Sequence, residues 1–88
     1  MLKISIIFSG RGSNACSILK FIIENKLKFI VKNIICNNKE AHGINKISKL
    51  GFNVRIIDKK LYDNIDKYNS DLHSILQPEK DNLLLLCG

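Results

Sequence analysis

The run Lys3-Ile4-Ser5-Ile6-Ile7-Phe8 is short, rich in isoleucine and almost wholly apolar, and it stops abruptly at Ser9-Gly10-Arg11-Gly12. A strand with one wet face alternates apolar and polar residues; a continuous apolar run of this length reads as a strand buried on both faces of a parallel sheet. Immediately beyond the glycines, Ile18, Leu19, Ile22, Ile23 and Leu27 follow the rhythm of one helical face, with Lys20, Glu24, Asn25 and Lys26 opposite. Buried strand, glycine turn and amphipathic helix in that order confine the chain to an α/β architecture, because parallel neighbours need a crossover helix between them. Ser13 or Asn14 is expected to cap this helix, since a short side-chain oxygen can accept from a first-turn N–H.

The alternation continues to the end of the chain. Ile30 to Cys36 predicts a second strand, stopped by Asn37-Asn38. Ala41 to Leu50 predicts a helix with Ile44, Ile47 and Leu50 spaced by three and Gly51 in the stop position. Val54 to Ile57 reads as a third strand with Arg55 pointing out. Leu61, Ile65, Tyr68, Leu72 and Ile75 predict a third helix that Gln77-Pro78 ends. Asn82 to Cys87, carrying four consecutive leucines, predicts a fourth strand. The expected fold is a Rossmann-like open parallel sheet of order βαβαβαβ, with right-handed crossovers and helices on both faces.

Eighty-eight residues suffice for one domain and exclude a two-domain enzyme. The fourth strand has the composition of a central strand, yet nothing in the sequence follows to pair its far edge, and an open apolar edge invites association. The reading is therefore one α/β domain over residues 1–88, incomplete after its fourth strand, whose edge is met by further sequence, a partner chain or a second copy.

A net charge of +6 suits an anionic partner, but of 14 basic residues only Arg11 and Arg55 are arginine, and no basic cluster exceeds the pair Lys59-Lys60. That is a lysine-coated surface with neither the basic stripe nor the stacked aromatics of a nucleic-acid module, so no nucleic-acid partner is expected. Cys16, Cys36 and Cys87 are odd in number and widely separated, which argues against a disulfide framework or a zinc site and for a reducing compartment. The first apolar run is broken before the roughly 7–15 residues of a signal-peptide core. No run approaches the about 20 residues of a membrane-spanning helix. A cytoplasmic location with no membrane partner and no metal is expected.

Chemistry is concentrated in Ser9-Gly10-Arg11-Gly12-Ser13-Asn14, at the carboxyl end of the first strand, where open α/β sheets bind their ligands. Glycines permit a tight turn and close approach, and the N–H groups of a helix N-terminus favour an anion. The nucleoside-triphosphate pattern G-x-x-x-x-G-K-[ST] is absent. Gly10-x-Gly12-x-x-Ala15 satisfies the loose dinucleotide pattern, but the acidic residue wanted at the end of the second strand is missing: that segment reads Cys36-Asn37-Asn38-Lys39, with the first acid at Glu40. A phosphomonoester seated on Gly12-Ser13-Asn14 fits the residues better. A non-catalytic module binding a nucleotide or another phosphorylated metabolite stands as the alternative.

The glycine loop, the segment Asn37-x-Lys39-x-Ala41-x-Gly43 behind the second strand, Lys49-Leu50-Gly51 before the third, and Pro78, Asp81, the leucine run and Cys87-Gly88 at the end occur in the order of a known set of signatures. Together they resemble the phosphoribosylglycinamide formyltransferase family of purine biosynthesis, over nearly the whole chain and matching its amino-terminal portion. Asn38, Glu79-Lys80 and Cys87 depart from the family pattern as one extra residue, two inserted residues and a replaced alanine. The resemblance implies transfer of a formyl group from 10-formyltetrahydrofolate to phosphoribosyl glycinamide. It further implies that Gly12, Ser13 and Asn14 hold the substrate phosphate, that Gly10 and Arg11 shape the turn, and that Gly88 lies beside the substrate. The family's folate-lining segment and its catalytic Asn, His and Asp have no counterpart in these residues, so no catalytic residue is assigned and the chain by itself is expected to lack activity. His42 and His73 read as surface histidines, and Cys87 as a structural thiol without a paired base.

Overall fold

Every strand of the sheet runs in the same direction, and the sheet order is third, second, first, fourth. The structure, a computed structural model, describes residues 3–76 and 82–87. Its elements are β1 (Lys3–Phe8), α1 (Ser13–Glu24), β2 (Ile30–Cys36), α2 (Gly43–Ser48), β3 (Arg55–Ile56), a single 3-10 turn (Lys59–Leu61), α3 (Ile65–Leu76) and β4 (Asn82–Leu86). β1 is therefore one of two inner strands, flanked on both sides, as its apolar run requires. Its pairing with β2 shifts register between Ile4 and Ser5, and on the far side of that shift Asn33 Nδ2 donates to the buried Ser5 hydroxyl at 3.4 Å. The one polar side chain inside β1 is thus answered by the neighbouring strand.

Two cores form, one on each face of the sheet. Ile4, Ile6, Phe8, Ile34 and Cys36 pack with Ala15, Leu19 and Ile22 of α1 and Ile47 of α2. On the other face, Ile35 and Ile57 meet Tyr68 of α3, with Ile7, Leu72 and Ile75 against them. Both faces of the sheet are covered by helices, which makes the chain a Rossmann-like α/β fold. None of the described helices is long and apolar enough to cross a membrane.

Several sequence expectations shift in detail. α1 is not capped by Ser13 or Asn14: its N-cap is Gly12, without a side-chain hydrogen bond, and Ser13 and Asn14 are its first two residues. The backbone at Gly12 is left-handed, φ 67°, a geometry that aims the chain into the helix with no room for a capping side chain. α1 ends by backbone and side chain together: Leu27 N–H donates to the Ile22 carbonyl at 3.1 Å and Lys26 N–H to that of Ile23 at 3.2 Å, with Lys26 left-handed at φ 51°, and Asn25 Nδ2 donates to the Phe21 carbonyl at 2.9 Å. α2 is shorter than the expected 41–50, and β3 shorter than 54–57, both of its residues being exposed. Leu61 does not join α3. Asp58 starts a separate 3-10 turn there and Tyr62 is extended, which leaves Leu61 73% exposed. β4 is an edge strand among the described residues, and it is not deeply buried: Leu83 and Leu84 are exposed and Leu86 is 75% exposed. Pro78, Asp81 and Gly88 lie outside the described residues.

Candidate functional site

β1 delivers its last residue, Phe8, to the carboxyl edge of the sheet, and the chain turns there through Ser9, Gly10 and Arg11 into the left-handed Gly12. What forces glycine at this turn is crowding as well as φ. A Cβ on Gly12 would sit 3.0 Å from Gly43 Cα and 3.4 Å from the Phe8 ring. The contact is reciprocal: a Cβ on Gly43 would fall 2.7 Å from the Phe8 ring and 2.8 Å from the Arg11 carbonyl oxygen. Gly43 N–H also donates to the Gly10 carbonyl at 3.2 Å. The glycine loop and the start of α2 are therefore one packed unit, with Phe8 beneath both. Gly10 differs, since a Cβ there would meet nothing within 4 Å. The close packing at this turn is between Gly12 and Gly43, with the Gly10 and Arg11 carbonyls against Gly43.

Because no side chain caps α1, its first-turn N–H groups have no partner within the helix, and Ser13 and Asn14 beside them are exposed. The Cys16 N–H is the first to be used inside it, donating to the Gly12 carbonyl at 2.7 Å. These orphan donors stand at the positive end of a twelve-residue helix. Next to them lies a cleft of about 340 Å³ lined by Asn14, Ser17, Ile18, Leu85, Leu86 and Cys87. It opens between α1 and the end of β4, and Cys87 N–H donates to the Ile7 carbonyl at 2.8 Å, fixing the end of β4 against β1, where the strand order reverses. Asn14 and Cys87 are thus brought to one cleft. Gly12 and Ser13 stand at the helix start above it, and Gly10 and Arg11 are exposed on the loop.

The titratable groups nearby offer no bond-making chemistry. Burial pushes the Cys87 thiol up, away from thiolate, and no base is bonded to it among the described residues. Cys36 is fully buried, its thiol donates to the Asn38 carbonyl at 3.1 Å, and burial likewise raises it. His42 and His73 are both exposed and line neither this cleft nor any other described here.

One functional-scale residue escaped the sequence reading. Asp58 is 5% exposed and accepts from Lys60 N–H at 2.9 Å and Lys39 N–H at 3.3 Å, so it ties the loop after β2 to the turn after β3. The Lys60 N–H, more than any other group, holds its carboxyl below the ordinary aspartate value. An Asp directly ahead of Lys59-Lys60 after a strand was the available signal, as a cap of the short turn.

Comparison with known proteins bears on the same segment. No family model matches the chain. Phosphoribosylglycinamide formyltransferase of Escherichia coli (strain K12) is 23% identical over 87 residues, 99% of this chain and 41% of that protein. The human trifunctional purine biosynthetic protein adenosine-3 is 24% identical over 86 residues, 98% of this chain and 8% of its own length. Among solved structures, phosphoribosylglycinamide formyltransferase from Campylobacter jejuni superimposes with a TM-score of 0.86 at 31% identity, covering 99% of this chain and 47% of that one. The chain matches the amino-terminal portion of phosphoribosylglycinamide formyltransferase. Glycinamide ribonucleotide transformylase 1 from Symbiobacterium toebii agrees, with a TM-score of 0.85 at 25% identity over 100% of this chain and 42% of that one. The chain spans less than half the length of these formyltransferases.

Proposed function

We propose that this chain is the phosphate-holding part of a phosphoribosylglycinamide formyltransferase, an enzyme that moves a formyl group from 10-formyltetrahydrofolate to the amine of phosphoribosyl glycinamide in purine synthesis. The observation that carries the reading is the uncapped N-terminus of α1, entered through a left-handed Gly12 wedged against Gly43, at the switch point of a formyltransferase-like sheet. The backbone of Gly12, Ser13 and Asn14 and the Ser13 and Asn14 side chains receive the phosphate oxygens, with helix polarity favouring the dianion. Arg11 and Gly10 carry the chain over the top of the loop. The sugar then runs along the cleft toward Leu86 and Cys87, with Gly88 beyond as the position the resemblance puts beside the substrate.

Formyl transfer needs donors for a developing oxyanion and a group to take the proton from the attacking amine. Neither histidine lines the cleft, and burial pushes the Cys87 thiol up, away from thiolate. The contribution of these 88 residues is accordingly to bind and orient one substrate, and the formyl donor is handled by groups outside them.

Isothermal calorimetry with phosphoribosyl glycinamide tests this directly. Saturable binding, displaced by inorganic phosphate, is expected. Asn14→Asp puts a carboxylate in the first turn of α1, which favours the helix by about 0.3–1 kcal/mol yet repels a phosphate. Binding should be lost while the melting temperature holds or rises. Binding indifferent to Asn14→Asp, or tighter binding of NAD than of phosphoribosyl glycinamide, would overturn the assignment of the subsite. Formyl transfer catalysed by the 88-residue polypeptide would overturn the division of labour.

A further inference from the structure

On the other side of β1 from the switch-point cleft lies a second and larger one, of about 530 Å³, lined by Ser9, Asn37, Asn38, Lys59 and Lys60. It shares no lining residue with the first. Three separate loops contribute: Ser9 follows β1, Asn37 and Asn38 follow β2, and Lys59 and Lys60 form the turn after β3. All three lie at the carboxyl edge of the sheet, where α/β folds place ligands. We propose that this cleft is a second anion site, shaped for the phosphate group of a small metabolite and distinct from the Gly12-Ser13-Asn14 turn.

The lining is unbalanced toward donors. Two lysines, two asparagines and Ser9 line one space, and no acidic residue lines it. Asn38 Oδ1 is already taken, accepting from Glu40 N–H at 3.0 Å, so the group Asn38 has left to offer is its Nδ2 amide. Among the described residues no hydrogen bond occupies the Asn37 side chain or Asn38 Nδ2. The acid closest in the chain to the lysines, Asp58, is buried beneath the turn, with its oxygens turned to the Lys39 and Lys60 backbone N–H groups. Its charge is held first by these backbone bonds and also attracts the Lys60 and Lys39 ammonium groups, which leaves Lys59 the less compensated cation of the pair; Glu40 is exposed. Donors arriving from three directions need several acceptor oxygens on one compact centre, which a phosphate supplies and a single carboxylate does not.

The cleft is also held open in advance. Asn37 N–H donates to the Phe8 carbonyl at 3.2 Å, Ile57 N–H to that of Cys36 at 2.9 Å, and Lys59 N–H to that of Asn37 at 3.2 Å. With the two bonds to Asp58, these stitch the three loops into one rim, so ligand binding has little backbone left to order. This is also the place of the Lys59-Lys60 pair, the densest basic spot in the sequence, which the glycine-loop reading leaves without a task.

Nuclear magnetic resonance titration of the chain with inorganic phosphate, at ionic strength held constant with chloride, tests the site. Saturable shifts are expected at the Asn37 and Asn38 side-chain amides, alongside any shifts at Ser13 and Asn14. The double variant Lys59→Gln/Lys60→Gln changes two exposed side chains and should weaken the first set about tenfold, the loss of roughly one charge-assisted contact, while sparing the second. In Asn14→Asp the two sets should part the opposite way, so failure of the glycine loop and failure of this cleft give different spectra. Shifts confined to Ser13 and Asn14 would overturn the proposal. So would Asn37 and Asn38 shifts that stay linear in phosphate, or that survive the double variant, since either marks adventitious ion contact only.

Discussion

At the scale of single residues, the glycines of this chain do unequal work although the sequence presents them alike. Gly10 and Gly12 both belong to the loop that reads as an anion cradle, but only Gly12 has a left-handed backbone and close neighbours, and its partner in the contact is Gly43, thirty-one positions on. Gly10→Ala should leave thermal stability within about 0.5 kcal/mol, the usual range for a surface change. Gly43→Ala drives a Cβ into backbone at 2.8 Å and an aromatic ring at 2.7 Å, so helix and loop must separate; a cost of about 1–3 kcal/mol is expected, as for overpacking. Chemical denaturation of the two variants measures the contrast, and equal stabilities would contradict it. The turn's need for glycine was legible in the sequence, but which glycine was not, because the deciding contact is non-local.

Elements are joined by devices that local patterning does not announce. The loop after β2 and the 3-10 turn after β3 belong to different segments, and Asp58 fastens them by accepting from Lys60 and Lys39 N–H groups. Those contacts favour the ionised carboxyl, and the folded-state pKa lies below the unfolded value of about 3.9. The stabilisation is therefore complete at neutral pH and is lost as pH falls through the folded-state value. Asp58→Asn keeps one acceptor oxygen and loses the charge, so its melting temperature should lie below that of the parent at pH 7. The gap should close as the pH is lowered below about 4. A gap that ignores pH would show that the carboxyl's charge is not what ties the loops. The helix expected from Leu61 to Ile75 is two pieces because Asp58 caps a short turn of its own and Asn64 Oδ1 accepts from Lys67 N–H at 2.8 Å to start α3, a break that the helical period of the apolar residues cannot detect.

For the molecule as a whole, the sheet has two edge strands among the described residues, the two-residue β3 and the longer β4, and β4 hydrogen-bonds to β1 alone. Exposed Leu83, Leu84 and Leu86 flank that edge, and it carries neither lysine nor proline to discourage pairing. A polypeptide of these 88 residues should associate as its concentration rises, and Leu84→Lys/Leu86→Lys should reduce that association. Light scattering over a concentration series checks it; a monomer at all concentrations would contradict it. Much at this scale was legible beforehand. The apolar run of β1, the period of α1 and the alternation of strands with helices are local patterns, and backbone hydrogen bonding leaves few ways to satisfy them, so a parallel sheet clothed by helices followed from the sequence alone. The glycine turn followed too, because a turn between a buried strand and a helix start is a local event. What only the tertiary structure decided was what depends on two distant segments meeting. That covers Gly12 against Gly43, Asp58 across two loops, Asn14 beside Cys87, and the lysine cleft assembled from three strand ends, where contact energies are set by positions in space that no local period encodes.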